Sequence, residues 1–172
     1  TLGAVLAILA AALASGRPTA LVARLPALPE RAIDPGIVAI ADTEAQGFEA
    51  AVRRWSGDAA SLAADPRWAT VLAAALPGDA LLDAYAADPV ATRYGNVLLV
   101  ARDGRVVASL FPSRRVGQRI GGSADPLARA VTTSRAMRAV GTSALAVEDG
   151  RAVVFVAAPA ADGATLVLAA GP

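Results

Sequence analysis

The stretches NVLLVARDGRVVAS (residues 96–109) and GRAVVFVAAPAADGATLVLAAGP (residues 150–172) decide the fold. Each consists of short runs bearing Val, Leu or Phe, and Asp-Gly pairs mark the breaks: Asp103-Gly104, Asp149-Gly150 and Asp162-Gly163. Asp and Gly tolerate the positive φ that tight antiparallel turns demand, so each pair predicts a hairpin reversal. The expected strands are Asn96 to Ala101, Val106 to Phe111, Thr142 to Val147, Ala152 to Ala158 and Ala164 to Ala170. Between the second and third, Asp125 to Arg138 reads as a helix behind a loop rich in Gly and Arg.

Upstream of this region the texture is helical. Asp-Pro recurs at Asp34-Pro35, Asp65-Pro66, Asp88-Pro89 and Asp125-Pro126. Asp at an N-cap accepts from the free amides of the first turn, and Pro at the next position has no amide to orphan, so each pair predicts a helix start. Little periodic sequence follows Asp88, which makes it the weakest of the set. From Pro35 to Ala64 the apolar positions Val38, Ala41, Ala45, Phe48, Val52, Trp55, Ala59 and Leu62 alternate in steps of three and four, a heptad-like seam. Such a seam serves either to pack a long helix on a sheet or to pair it with a second copy. Gly47 and Gly57 weaken this helix and mark where it would break. Further helices are expected from Pro66 to Leu76 and from Asp79 to Ala86.

Leu2 to Ala14 is an uncharged apolar run closing at Ser15-Gly16-Arg17-Pro18. It is read as a transmembrane or signal segment, with Ala12-Leu13-Ala14 offering an A-x-A-like cleavage site. Arg17, Arg24 and Arg31 count against a span, because flanking arginines prefer the cytoplasmic side. Residues 15–33 carry Pro18, Pro26 and Pro29 and read as a connector, which leaves 34–172 as one α+β domain.

Composition excludes whole classes of chemistry. The chain has no His and no Cys, and all 16 basic residues are arginine. There is therefore no Ser-His-Asp or Cys-His site, no zinc or haem site with the usual nitrogen or sulfur ligands, and no lysine for a Schiff base or a phosphate loop. No cofactor, metal or catalytic residue is expected. A net charge of +1 lacks the basic field that nucleic-acid binding needs.

SLAADPRWATVLAA (residues 61–74), the hairpin at 96–109, RVGQRIGGS (residues 115–123) before a helix and the closing stretch at 150–172 come in the order that resembles the extracytoplasmic PAS-like sensor family known as Cache or PDC domains. The resemblance implies a PAS-like antiparallel sheet of about five strands with a long N-terminal helix and further helices packed on it. It implies a periplasmic small-molecule sensing module of an inner-membrane receptor: a histidine kinase, a chemoreceptor or a diguanylate cyclase. It places the ligand between the sheet and the loop-helix segment after the second strand. An Arg-Pro-Tyr-Phe-like stretch common in the family is replaced by Asp125-Pro126-Leu127-Ala128, so ligand class does not carry over. Rival readings are a secreted or anchored solute-binding module and a structural dimerisation domain without ligand.

Arg114, Arg115 and Arg119, with Ser123 and the loop glycines, form the candidate ligand site, because guanidinium groups and free loop amides suit an anionic small molecule. Ser109, Thr142 and Phe155 are candidates to line a pocket on one sheet face, against the alternative that Phe155 is core. Trp55 and Trp68 read as packing, and Tyr85 and Tyr94 read either way. Glu148-Asp149 is expected in an exposed turn, without the burial that general-acid work requires. Partners are thus a small molecule, the membrane through the N-terminal segment, and a second copy through the long helix.

Overall fold

The computed structural model describes residues 35–74, 76–110, 115–122, 124–148 and 150–171. The apolar run and the connector lie outside them. Among the described residues no helix is long and apolar enough to cross a membrane. The chain divides into two units, Thr1–Ala51 and Val52–Pro172. In the first, the described residues 35–51 are helical; the second holds the remaining elements.

Helix α1 spans Pro35–Ala64, α2 Pro66–Ala73 and α3 Pro77–Ala86. The start of α2 follows the Asp-Pro logic: the Asp65 carboxylate accepts from the Arg67 amide at 2.9 Å. Asp88 instead caps a 3-10 turn, Ala91–Arg93, accepting from the amides of Val90 at 2.8 Å and Ala91 at 3.2 Å. Its other oxygen receives Arg67 at 3.0 Å, which compensates a carboxylate that is only 5% exposed. No break occurs at Gly47 or Gly57, since α1 is continuous. A Cβ built at Gly57 meets nothing within 4 Å. Gly57→Ala is therefore expected to raise stability by about 0.5–1 kcal/mol through helix propensity alone, read as a higher urea midpoint at unchanged m-value; a lower midpoint would contradict the exposed helical setting.

The sheet comprises β1 (Asn96–Val100), β2 (Val106–Ser109), β3 (Gly141–Thr142), β4 (Ala146–Glu148), β5 (Arg151–Pro159) and β6 (Thr165–Ala170). Its order is β2-β1-β6-β5-β3, with β4 also on β5, and every pairing is antiparallel. This is an α+β, PAS-like sheet with helices packed on it. The Asp-Gly turns form as expected: Gly104 and Gly150 have φ of 86° and 76°, and Asp162 and Gly163 are both left-handed at 56° and 74°. The expected third strand, Thr142 to Val147, is two pieces. Between the pairs Thr142↔Val156 and Ala146↔Val153, residues 143–145 face only 154 and 155, a β-bulge. Ser143 fills the gap by donating its amide to the Phe155 carbonyl at 2.8 Å and accepting the Phe155 amide on its hydroxyl at 2.9 Å.

Both faces of the sheet are buried, which explains the near-continuous apolar runs in β5 and β6. One face, through Leu98, Val100, Val106, Phe155, Ala157, Val167 and Ala169, packs against Leu127, Ala130 and Val131 of α4 (Pro126–Met137). Asp125 caps α4 through the Leu127 amide at 3.0 Å. Arg135 ties the far end of α4 to the β1–β2 turn, donating to the carbonyls of Ala101 at 2.7 Å and Arg102 at 3.1 Å. Alternation points Val97, Leu99, Val156, Leu166 and Leu168 to the opposite face, and all are fully buried. On the helical side Trp55, Ala59, Leu62, Trp68, Val71 and Leu81 are buried, with α3 against β2 and α2 against α3.

Candidate functional site

The loop after β2 is folded back on the start of its own hairpin. Gly117 donates to Val106 O at 2.8 Å, Val106 to Gln118 O at 2.9 Å, Ile120 to Gly104 O at 2.8 Å and Gln118 to Arg115 O at 2.9 Å. The amides of Gly117, Gln118 and Ile120 are therefore occupied and are not open to an anion. Arg114 and Ser123 lie outside the described residues.

Arg115 is at the centre of an internal knot. Its Nε and one terminal nitrogen grip Glu148 side-on at 2.8 and 3.0 Å, while the other terminal nitrogen donates to Asp125 at 2.8 Å. The guanidinium carbon stands 5.9 Å from the centroid of the Phe155 ring, within cation–π range. The hydrogen bonds that Arg115 donates to Glu148 push its pKa further up, against the opposing effect of burial, with Asp125 adding in the same sense. One residue thus joins the loop after β2, the N-cap of α4 and the end of β4. Glu148 is not in an exposed turn; its side chain is 27% exposed and fully engaged.

Arg119 goes elsewhere. Its side chain is 69% exposed and reaches Asp103 of the β1–β2 turn at 3.8 Å. Ser109 exchanges hydrogen bonds with the Asn96 side chain across the β1–β2 pair at 3.1 and 3.2 Å. Thr142 is exposed, and Phe155 belongs to the core under α4. Of the candidates, the structure brings Arg115 and Phe155 together; Arg119, Ser109 and Thr142 stand apart from them.

A cleft of about 270 Å³ opens where α1, the segment leading into β1 and the end of β6 meet, lined by Arg54, Trp55, Asp58, Arg93, Tyr94, Ala170 and Gly171. Tyr94 is 5% exposed and donates its hydroxyl to Asp58 at 2.6 Å. Its backbone carbonyl accepts from Tyr85 at 3.1 Å, so a second tyrosine braces the first. Burial, then the hydrogen bond to Asp58, hold the Tyr94 phenol far above its ordinary pKa, while the charges of Arg54 and Arg93 act in the opposite sense. Tyr94 is therefore a neutral donor at physiological pH, and both guanidinium groups are near enough to act on it. Among the described residues neither Arg54 nor Arg93 forms an ion pair. Sequence reasoning missed this cleft, although a signal existed: Arg54-Trp55 and Arg93-Tyr94 are both arginine–aromatic pairs, and Asp58 lies one helical turn beyond Arg54. In each pair the aromatic is buried and the arginine exposed.

The class these features define is a PAS-like α+β domain with a polar cleft beside β6. No family model matches the chain, and no curated protein does. Among solved structures it is similar to the YkuI protein of Bacillus subtilis, described with an EAL domain in complex with substrate c-di-GMP and calcium. The TM-score is 0.52 at 13% identity, over 78% of this chain and 36% of that one. The chain thus spans about a third of YkuI's length, and at that identity the likeness shows the fold alone.

Proposed function

We propose that this chain is the extracytoplasmic small-molecule sensing domain of a transmembrane signalling receptor, of the histidine-kinase kind, with its N-terminal segment at the inner membrane. The observation that supports this reading best is the PAS-like sheet order combined with a 30-residue helix that feeds it. A sheet buried on both faces is a stiff platform, and a ligand at its margin can bias the elements that leave it. Such a bias is limited to the ligand's differential affinity for the two states. The composition supports binding over catalysis, since arginine, hydroxyl and carboxylate groups recognise small anions without nucleophile or metal.

The test is a thermal-shift screen of the full chain against small carboxylates, amino acids and inorganic phosphate. A true ligand at a hundred times its Kd adds about 2.7 kcal/mol, which for a domain of this size raises Tm by roughly 5–10 °C. A flat response across the panel would remove the sensing proposal. Fusion of a periplasm-dependent reporter to the chain's C-terminal end tests its location, and activity confined to the cytoplasm would remove that part.

A further inference from the structure

The cleft between α1, the β1 approach and the end of β6 is not where the family resemblance places a ligand, which is the opposite side of the sheet under α4. We propose that it is a binding site for a small oxyanion, a carboxylate or a phosphate, gripped by Arg54 and Arg93 over the floor formed by Trp55 and Tyr94. This rests on the sensing proposal and assigns it a site.

Several independent features of the cleft agree. Its volume, about 270 Å³, is just below the roughly 300–1,000 Å³ of ordinary ligand pockets, so the occupant is small. Its lining carries two guanidinium groups against one carboxylate, with Tyr94 neutral, and so lacks one negative charge. Both arginines lack an ion-pair partner among the described residues, whereas Arg67 and Arg115 each pair with two carboxylates. Guanidinium is suited to side-on capture of carboxylate or phosphate oxygens. Asp58 offsets only one of the two positive charges, and one of its oxygens already accepts the Tyr94 hydroxyl at 2.6 Å. That bond also holds α1 beside the strand platform, so the floor is preorganised before any anion arrives.

The position gives binding a consequence. Arg54 belongs to α1, Arg93 to the 3-10 turn before β1, and Ala170 ends β6. An anion held by both arginines clamps α1 to the segment before β1, alongside the end of β6. The loop knot at Arg115 is a different device, already neutralised from within, so the two sites separate cleanly by mutation.

The experiment titrates acetate and inorganic phosphate separately into the full chain while following the Trp55 indole and Tyr94 backbone amide resonances by NMR. Saturable shifts are expected for at least one anion, and the stronger binder says which oxyanion class the site takes. Arg54→Gln and Arg93→Gln should each weaken that binding about tenfold or more, the usual worth of a charge-assisted hydrogen bond. Arg119→Gln, also exposed and equally cationic, should leave it unchanged, as should Arg115→Gln. Both cleft arginines are exposed, so their variants should keep the wild-type thermal transition, measured alongside. The inference is overturned if neither anion shifts these resonances, if both cleft variants bind like wild type, or if Arg119→Gln weakens binding equally. Should the wider ligand screen succeed while these variants bind normally, sensing survives and this site does not.

Discussion

Gly141→Ala is expected to destabilise the domain by about 3 kcal/mol, lowering Tm by roughly 6–12 °C. A Cβ at this position would stand 2.5 Å from the Ala130 carbonyl oxygen and 2.6 Å from the Ser134 amide nitrogen. Both are backbone atoms of α4, so no side-chain rotation relieves the clash. Gly141 is also fixed from the other side, since β3 pairs it with Ala157 of β5. The helix must therefore lift from the sheet, and with it the contact of Leu127, Ala130 and Val131 on Phe155 and Ala157. Urea unfolding followed by circular dichroism measures the loss, with Gly57→Ala as the control in open space. A change under about 0.5 kcal/mol would refute the close helix–strand approach.

Arg115→Gln is expected to cost about 2–3 kcal/mol. Two carboxylates, Asp125 at 20% and Glu148 at 27% side-chain exposure, would lose the cation that now sits between them. Their partial exposure keeps the loss below that for a fully buried pair, because water recovers some of the solvation. The double variant Arg115→Gln with Glu148→Gln should be less harmful than the sum of its parts by about 1–2 kcal/mol, since removing the orphaned charge removes part of the penalty. Simple additivity in this cycle would show that the knot is not a coupled unit.

The sheet was legible in the sequence because its reversals have chemical signatures. Asp162-Gly163 needs two consecutive left-handed residues, which few other pairs accept. The helix starts at Asp65 and Asp125 were equally plain, since an N-cap is a local arrangement. Asp88 carried the same signature but spends its carboxylate on a single 3-10 turn and on Arg67, a partner 21 residues away that no local pattern announces. The bulge at 143–145 was hidden for a related reason: Ser143 imitates a backbone acceptor with its hydroxyl, and the run Thr142 to Val147 carries no Gly or Pro to mark a break. The partners of Arg115 were hidden because charge and glycine content do not reveal which carboxylates will arrive from β4 and α4. Tyr94 and Asp58, 36 residues apart, meet only through tertiary packing.

The interruption in the outer strand pair bears on how the molecule behaves in crowded solution. A sheet margin offering two residues, a kink and then three residues gives a stray polypeptide no continuous ladder to extend. Leu145 and Val147 stand exposed along that margin, greasy enough to invite a neighbour. The irregular spacing of the backbone groups works against such a neighbour at this margin, by geometry where the side chains would not.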